Sequence, residues 1–465
     1  MSKKKRFEKV TIDDFAAEGK CIYKSDDGVV FIEGNVAPGD VVDLEVTGRK
    51  KRFMHAAVTH FHSYSAMRST PYCQHFDICG GCKWQHITYD EQIKFKERQV
   101  KDQMQRIAGI KDVPVNPIVG ADKLLYYRNK LEFTFTDYRW LTAEEIGQGG
   151  ELSRNGLGFH VPKRFDKVFT VDHCHLQEEP SNKIRNAVHA FTQQLGLPYY
   201  DLRKNEGLLR NIIIRTANSG DIMVIVQFAE QDDQHIGMVL AFIRTTFPEV
   251  SSLYYIVNTK GNDSYQDQEA IHFAGETTIR EKMEDFTFLV GPKSFYQTNS
   301  DQAHKLYSIV REYAALTGNE LVYDLYTGTG TIANFVARQA KWVTGLEYVE
   351  EAVKDAVVNS QVNNISNTNF LAGDMRYLLN DDFVAKNGCP DVIITDPPRA
   401  GMDQPVVETI LKAAPDRIVY VSCNPATQAR DLLWMESMYK VEKIQPVDMF
   451  PHTHHVENVV LLKKR

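Results

Sequence analysis

Apolar and polar positions along this chain fall into three regimes. In residues 1–65 short runs alternate apolar with polar side chains, the period-two signature of strands that bury one face. Val29-Val30-Phe31-Ile32 leads to the turn Ala37-Pro38-Gly39-Asp40, then to Val41-Val42-Asp43-Leu44-Glu45-Val46. Strand, Pro-Gly turn and strand predict a small β-barrel. Residues 89–110 switch to helical spacing: Ile93, Val100, Met104 and Ile107 recur among Lys, Arg and Gln, with Asp90 as the expected cap and an end near Gly109. A strand-rich middle segment opens at Tyr126-Tyr127-Arg128-Asn129-Lys130-Leu131 and includes residues 157–160, 211–216 and 223–228. Asn218-Ser219-Gly220-Asp221 reads as a hairpin loop, and residues 141–151, with Gly147, Gly149 and Gly150, read as irregular.

From about Gly291 the pattern alternates strand and helix, which predicts a parallel sheet covered on both faces. The expected strands are residues 321–326, 342–347, 369–374, 392–396 and 418–421. The fold class is therefore an α/β Rossmann-like domain over 291–465, preceded by an OB-like β-barrel over 1–65 and a mixed α+β segment over 66–290. The helix at 89–110 is expected to be able to pack on the C-terminal domain.

The 465 residues are 43% apolar and 25% charged, ordinary for a globular protein. No apolar run is long enough to span a bilayer, and Met1-Ser2-Lys3-Lys4-Lys5-Arg6 lacks an apolar signal core, so a cytoplasmic location is expected. A net charge of −7 argues against wholesale coating of nucleic acid. Residues 1–140 nevertheless carry 23 Lys+Arg against 19 Asp+Glu, so +4, leaving −11 for the rest. A mildly basic front is compatible with RNA contact. Arg49-Lys50-Lys51-Arg52 is either a phosphate-facing patch or a solvated turn.

Three of seven cysteines fall in Cys73-Gln74-His75-Phe76-Asp77-Ile78-Cys79-Gly80-Gly81-Cys82. That C-x5-C-x2-C spacing points to an inorganic centre, with Cys174 as the candidate fourth thiolate. Spacing alone leaves an iron-sulfur cluster and zinc open. In the C-terminal half Thr327-Gly328-Thr329-Gly330-Thr331 lies between strand and helix, where glycine lets a ligand approach the backbone. Glu347, closing the next strand, suits ribose hydroxyls, and Asp374 suits an adenine amine. The turn lacks the third glycine of a dinucleotide fingerprint, and Asp324 and Asp396 suit a cation, so the cofactor reads as S-adenosylmethionine. Cys423, in Ser422-Cys423-Asn424-Pro425, follows an apolar strand. It is either a small buried hydrophobe or a nucleophile at the sheet edge where such folds bind ligands. Adjacent histidines in Pro451-His452-Thr453-His454-His455 face opposite ways in an extended segment and make a poor chelate.

Together, Asp324-Leu325-Tyr326-Thr327-Gly328, Asp396-Pro397-Pro398-Arg399, Ser422-Cys423-Asn424-Pro425 and His455-Val456-Glu457 resemble the RNA (uracil-C5)-methyltransferase family. The cysteine triplet resembles its iron-sulfur-containing bacterial 23S ribosomal RNA branch. Glu18-Gly19-Lys20 through Gly39-Asp40 is similar to the family's TRAM domain, an RNA-binding barrel. Cys21 departs from the usual glycine and reads as a packing residue. The resemblance implies a [4Fe-4S] cluster on Cys73, Cys79, Cys82 and Cys174. It places cofactor contacts on Gln297, Tyr326, Thr331, Glu347, Asp374 and Asp396. Thr331 stands where other members have Asn. Cys423 is implied as nucleophile and Glu457 as base, with Arg399 holding a phosphate or ordering its loop.

The chemistry needs those parts. Carbon 5 of uracil is a poor nucleophile until a thiolate adds to C6, and a base must then remove the C5 proton. The uridine must be unstacked for that approach, so a loop or bulge of RNA is the expected substrate, 23S ribosomal RNA first. The same reaction on transfer RNA, a non-catalytic ribosome-assembly factor, and amino-group methylation of a base are the other classes. The last departs from the pattern, because its Asp-Pro-Pro motif usually has an aromatic residue fourth.

Overall fold

The computed structural model describes residues 5–149 and 152–465. The alternating N-terminal runs form one six-stranded sheet: Arg6–Thr11, Asp14–Phe15, Cys21–Ser25, Gly28–Glu33, Val41–Arg49 and Phe53–Ser63. Ile12, Val30, Ile32, Val42, Leu44 and Met54 point inward and form a core of their own. Cys21 belongs to that core, its Sγ 3.1 Å from the Val36 carbonyl. Arg49 ends a strand, and Lys50, Lys51 and Arg52 stand exposed in the turn that follows.

The middle segment is a seven-stranded sheet. Its order is Ile271–Gly275, Ser252–Val257, Ile222–Phe228, Leu209–Thr216, Lys130–Thr136, Gly156–His160 and Val168–Thr170. Strand alternation splits its side chains between two cores. Ile212, Ile214, Val224 and Val226 pack under the helices Glu179–Gln194 and Asp233–Thr246. Ile213, Met223 and Ile225 face the C-terminal unit.

That unit holds the expected parallel strands, in the order Thr368–Ala372, Trp342–Glu347, Leu321–Leu325, Val392–Thr395 and Arg417–Ser422. Glu457–Lys464 then runs antiparallel to Arg417–Ser422, and Tyr439–Val447 completes the edge. The hairpin Ile279–Met283 with Phe286–Val290 packs into the same core, so this unit begins ahead of residue 291. No helix among the described residues is long and apolar enough to cross a membrane.

Two expectations need correction. Within 141–151 lies a short helix, Ala143–Gln148, because Thr142 and Glu145 form a reciprocal capping box; residues 150 and 151 fall outside the described residues. The helix expected at 89–110 spans Tyr89–Arg106, with Thr88 rather than Asp90 at its N-cap. Ile107 lies beyond it and is 41% exposed. Its buried row is Gln92, Phe95, Lys96, Val100 and Met104. Val100 and Met104 enter the core of the C-terminal sheet beside Tyr323, Ile393 and Ile418.

Lys96 is fully buried, and its ammonium donates to Asp448 at 2.6 Å and to the Phe450 carbonyl at 3.0 Å. Asp448 also accepts from the Tyr89 hydroxyl at 2.8 Å. Removing one partner strands a buried charge, so Lys96→Ala should cost about 3–5 kcal/mol. Lys96→Met combined with Asp448→Leu should recover part of that loss. Thermal and chemical denaturation of the two variants against wild type would check both outcomes.

Candidate active site

The carboxyl edge of the C-terminal sheet collects the reactive groups. Ser422 pairs with Asn458 across the antiparallel strands Arg417–Ser422 and Glu457–Lys464. Cys423, one residue beyond Ser422, therefore emerges opposite Glu457. Thr395 pairs with both Leu325 and Tyr420, which brings Asp396 to the same edge. A Pro residue follows each of Asn424 and Asp396, so neither strand continues and the side chains are delivered on turns.

The turn around Cys423 is tightly held. Asn424 caps the helix Pro425–Met435 by accepting from Ala426 N–H, and its amide donates to the Arg399 carbonyl at 3.0 Å. The Thr427 hydroxyl donates to that carbonyl at 3.1 Å. Arg399 thus orders the loop through its backbone. Its guanidinium is exposed, and its charge pulls the acidic groups of Cys423 and Glu457 downward.

Burial dominates the electrostatics. Glu457 is 5% exposed, and burial, helped by Asp396, pushes its carboxyl up to about 8. Burial, then the charges of Glu457 and Asp396, pushes the Cys423 thiol up to about 11. Asp396 and Asp324 are each pushed up to about 7, first by burial. Asp324 accepts from the Thr327 hydroxyl at 2.5 Å, while its Oδ1 is buried without a partner among the described residues. Such an edge has too many acidic groups for its cations, and it suits a positively charged ligand.

The glycine turn borders that acidic edge. Tyr326 and Gly328 have φ of 62° and 56°, and a Cβ added at Gly328 would meet nothing within 4 Å, so the backbone is open on that side. At Gly330 (φ 74°) a Cβ would lie 2.7 Å from Ala356, so glycine is needed there for packing. Glu347 accepts from Gly328 N–H at 3.0 Å and from Val349 N–H at 2.9 Å, which fixes its carboxylate beside the turn. Thr331 is buried, its hydroxyl 3.3 Å from that of Thr329. Asp374 caps the short helix Met375–Leu378 and is bidentate with Arg376, which holds its carboxyl below the usual range. Only the lone pairs Arg376 leaves free are open to a ligand there. Gln297, 8% exposed, sits on the loop that precedes the helix Ser300–Ala314.

A family model described as tRNA (uracil-5-)-methyltransferase matches residues 267–465. An uncharacterized RNA methyltransferase of Bacteroides thetaiotaomicron is 54% identical over 454 residues, covering 97% of this chain and 100% of the relative. One of Porphyromonas gingivalis is 51% identical, covering 97% of this chain and 98% of its own. The chain belongs to the RNA (uracil-5-)-methyltransferase family. A solved structure adds the fold of the full length. The Pyrococcus abyssi tRNA (uracil-54, C5)-methyltransferase, in complex with S-adenosyl-L-homocysteine, is 28% identical with a TM-score of 0.76. It covers 98% of this chain and 100% of that one.

In this member of the RNA (uracil-5-)-methyltransferase family the middle sheet reaches into the site through residues the sequence reading passed over. Asn129 donates from Nδ2 to the Gln297 carbonyl and to Ser300 Oγ, both at 2.9 Å, and its N–H donates to the Thr298 carbonyl. Arg215 donates to the Ser294 carbonyl at 2.7 Å. Both ends of the loop 294–298 are therefore clamped from outside the C-terminal unit. Asn129 was legible as part of its quoted run; Arg215, in an apolar strand, was visible only as a charge out of pattern. Lys130 is not a surface charge: burial and Arg215 lower it to about 8, and it donates to the Tyr265 hydroxyl. Arg128 stacks on Phe450, 5.4 Å from the ring centre.

Cys73, Cys79, Cys82 and Cys174 line one cavity, walled by Phe76, Phe159 and Leu176 among others. Burial pushes the thiols of Cys79 and Cys82 up to about 12. No three candidate ligands among the described residues converge as a single metal ion requires.

The three raised carboxyls bind more protons folded than unfolded between about pH 4 and pH 8, so their ionisation destabilises the fold as pH rises through that window. Asp396→Asn removes one of them. Its thermal midpoint should exceed that of wild type at pH 8.5, with the advantage shrinking toward pH 5, as scanning fluorimetry across pH would read directly.

Proposed function

We propose that this protein transfers a methyl group from S-adenosylmethionine to C5 of a specific uridine in RNA, through a covalent bond between Cys423 and C6 of the ring. The observation that carries this reading is the emergence of Cys423 opposite a buried Glu457 at the acidic edge beside the glycine turn. S-adenosylmethionine, when bound, supplies an electrophilic methyl carried on a cation. Asp324 Oδ1 and Asp396 answer that charge, Glu347 faces the ribose, and Gln297, Tyr326, Thr331 and Asp374 complete the cofactor contacts.

The residues of this chain divide the work as follows. The Cys423 thiolate forms the S–C6 bond, and the C5=C6 electron pair moves onto C5 and O4 as an enolate. Carbon 5 then forms its bond to the methyl as the methyl–sulfur bond breaks, the electron pair returning to sulfur and S-adenosylhomocysteine leaving. Glu457 takes the C5 proton, the C6–S bond breaks, and C5=C6 is restored with the thiolate released. A carboxyl raised to about 8 is matched to removing a proton near neutral pH. Arg399 is the cation whose field lowers both Cys423 and Glu457.

Cys73, Cys79, Cys82 and Cys174 hold a [4Fe-4S] cluster in this reading, as a structural staple. Four thiols lining one cavity supply the four thiolates a cluster takes, and the resemblance of the cysteine triplet favours the cluster over zinc. The six-stranded N-terminal unit acts as a TRAM-like RNA-binding barrel, and the protein works in the cytoplasm. The substrate we favour is 23S ribosomal RNA, on the resemblance of the cysteine triplet. The tRNA specificity printed for the Pyrococcus abyssi structure supports transfer RNA as the second reading.

Anaerobically purified protein incubated with S-adenosylmethionine and competing 5-fluorouridine-substituted ribosomal and transfer RNAs should yield a denaturation-resistant protein–RNA adduct. Fluorine at C5 cannot leave as a proton, so the adduct stalls. Sequencing the trapped RNA names the substrate, and Cys423→Ala should abolish the band. Glu457→Gln should lower turnover by about 10²–10⁴ and accumulate adduct on unsubstituted RNA. Absence of any adduct despite bound S-adenosylmethionine would refute the mechanism. Purified protein should also carry iron and acid-labile sulfide in equal amounts, lost together in Cys79→Ser; stoichiometric zinc instead would overturn the cluster.

A further inference from the structure

A cleft of about 680 Å³ lies on the middle sheet, well away from Cys423, and the chemistry above makes no use of it. Its size falls in the range of about 300–1,000 Å³ that holds small organic ligands. One wall is the loop after the strand Gly156–His160, which presents Phe165 at 73% exposure. The other walls are the turns at 200–205 and 261–263. Arg210, 2% exposed, lies 4.3 Å over the Tyr200 ring and donates to the Asn258, Lys260 and Asn262 carbonyls, so the floor is built and rigid. The Nδ2 groups of Asn205 and Asn262 point to no partner among the described residues, and His160 Nδ1 and Arg210 Nε are buried without one.

The cleft is joined to the active site by one face of one strand. In Lys130–Thr136, residues 130, 132 and 134 share a face. Thr134 Oγ1 is 3.3 Å from His160 Nε2 in the cleft wall. Glu132 accepts from Asn211 at 3.0 Å, and Lys130 bonds Tyr265. Before the strand, Asn129 holds the Gln297 loop and Arg128 stacks on Phe450. A polar track of about 20 Å, six residues at the strand rise, thus runs from the catalytic rim to the cleft. Lys163 and Arg164 stand at its outer end and both are paired, Lys163 with Glu33 of the N-terminal sheet at 2.5 Å and Arg164 with Asp166, which also takes Arg203.

An exposed aromatic face beside free amide donors is the arrangement that holds an unpaired nucleobase. We propose that this cleft is a nucleobase subsite: an unpaired nucleotide of the substrate RNA, several positions from the target uridine, stacks its base on Phe165. Asn205 and Asn262 donate to its carbonyl oxygens or ring nitrogens. The inference rests on the RNA-methylating reading above and adds to it a site of sequence preference remote from the chemistry.

The test uses the full-length protein and a transcript spanning the uridine identified by adduct sequencing. Phe165→Ala removes the stacking face at an exposed position. Gly261→Leu fills the cleft instead: its added Cβ would sit 3.6 Å from the Asn205 amide, at a glycine without left-handed φ. Each variant should raise the KM for RNA about five-fold or more, with the KM for S-adenosylmethionine and the single-turnover rate at saturating RNA unchanged. Trimming the transcript stepwise should reach a length at which wild type and variants coincide, because no nucleotide then reaches the cleft. Wild-type KM for RNA in both variants, or an equal deficit at every transcript length, would overturn the subsite while leaving the adduct chemistry intact. A wild-type protein that forms no adduct with any RNA would instead bring down the methyltransferase reading, and the subsite with it.

Discussion

The active site depends on a charge pair that never meets water. Lys96, on a helix near the front of the chain, and Asp448, on the segment that leads into Glu457, close at 2.6 Å with neither side chain exposed. Their desolvation is costly, and the attraction alone does not repay it; the further bonds to the Phe450 carbonyl, Tyr89 and Phe450 N–H satisfy what remains. Gln92, one turn earlier, exchanges bonds with His452. Residues 448–457 are thereby pinned from a remote part of the sequence, and the carboxylate at their end has one position relative to Cys423.

Around that fixed position the site is built out of balance. Glu457 and Asp324 are buried; beyond burial, the Asp324 charge raises Asp396, the Asp396 charge raises Glu457, and the Arg399 charge opposes the rise at Glu457. Without a cationic ligand the inexpensive answer is protonation, which all three raised values reflect. A bound cation would change the balance for the nearest carboxylates and thus for Glu457 beside Asp396. In the proposed mechanism, cofactor binding and Glu457 ionisation are therefore coupled electrostatically, with no moving part required.

What the sequence revealed was what is local. Apolar runs ending in Thr-Gly-Thr-Gly, Asp-Pro-Pro or Cys-Asn-Pro mark strands that stop at turns, and the parallel sheet and the placement of Cys423 and Asp396 follow from that pattern. Thr142 and Glu145 were equally local, a capping box overlooked among glycines. Lys96 was not legible, because a lysine at helical spacing reads as a solvated face until Asp448 is brought to it. Asp374 looked free for a ligand, although Arg376 two residues on already claims its carboxylate. The last strand hides its register in the same way: Glu457 becomes a partner of Cys423 only once Asn458 pairs with Ser422.

The clamp on residues 294–298 has a consequence for how such a protein can diversify. Asn129 and Arg215 belong to the middle sheet, yet they hold the backbone of the loop that carries Gln297. The two units share a hinge pin, so they cannot be exchanged as independent modules. A middle segment grafted without these two side chains would lack the matching hydrogen bonds and loosen the loop that carries Gln297. Lineages that acquire a new target are therefore constrained to keep these two side chains in register while the outer surface of the same sheet drifts.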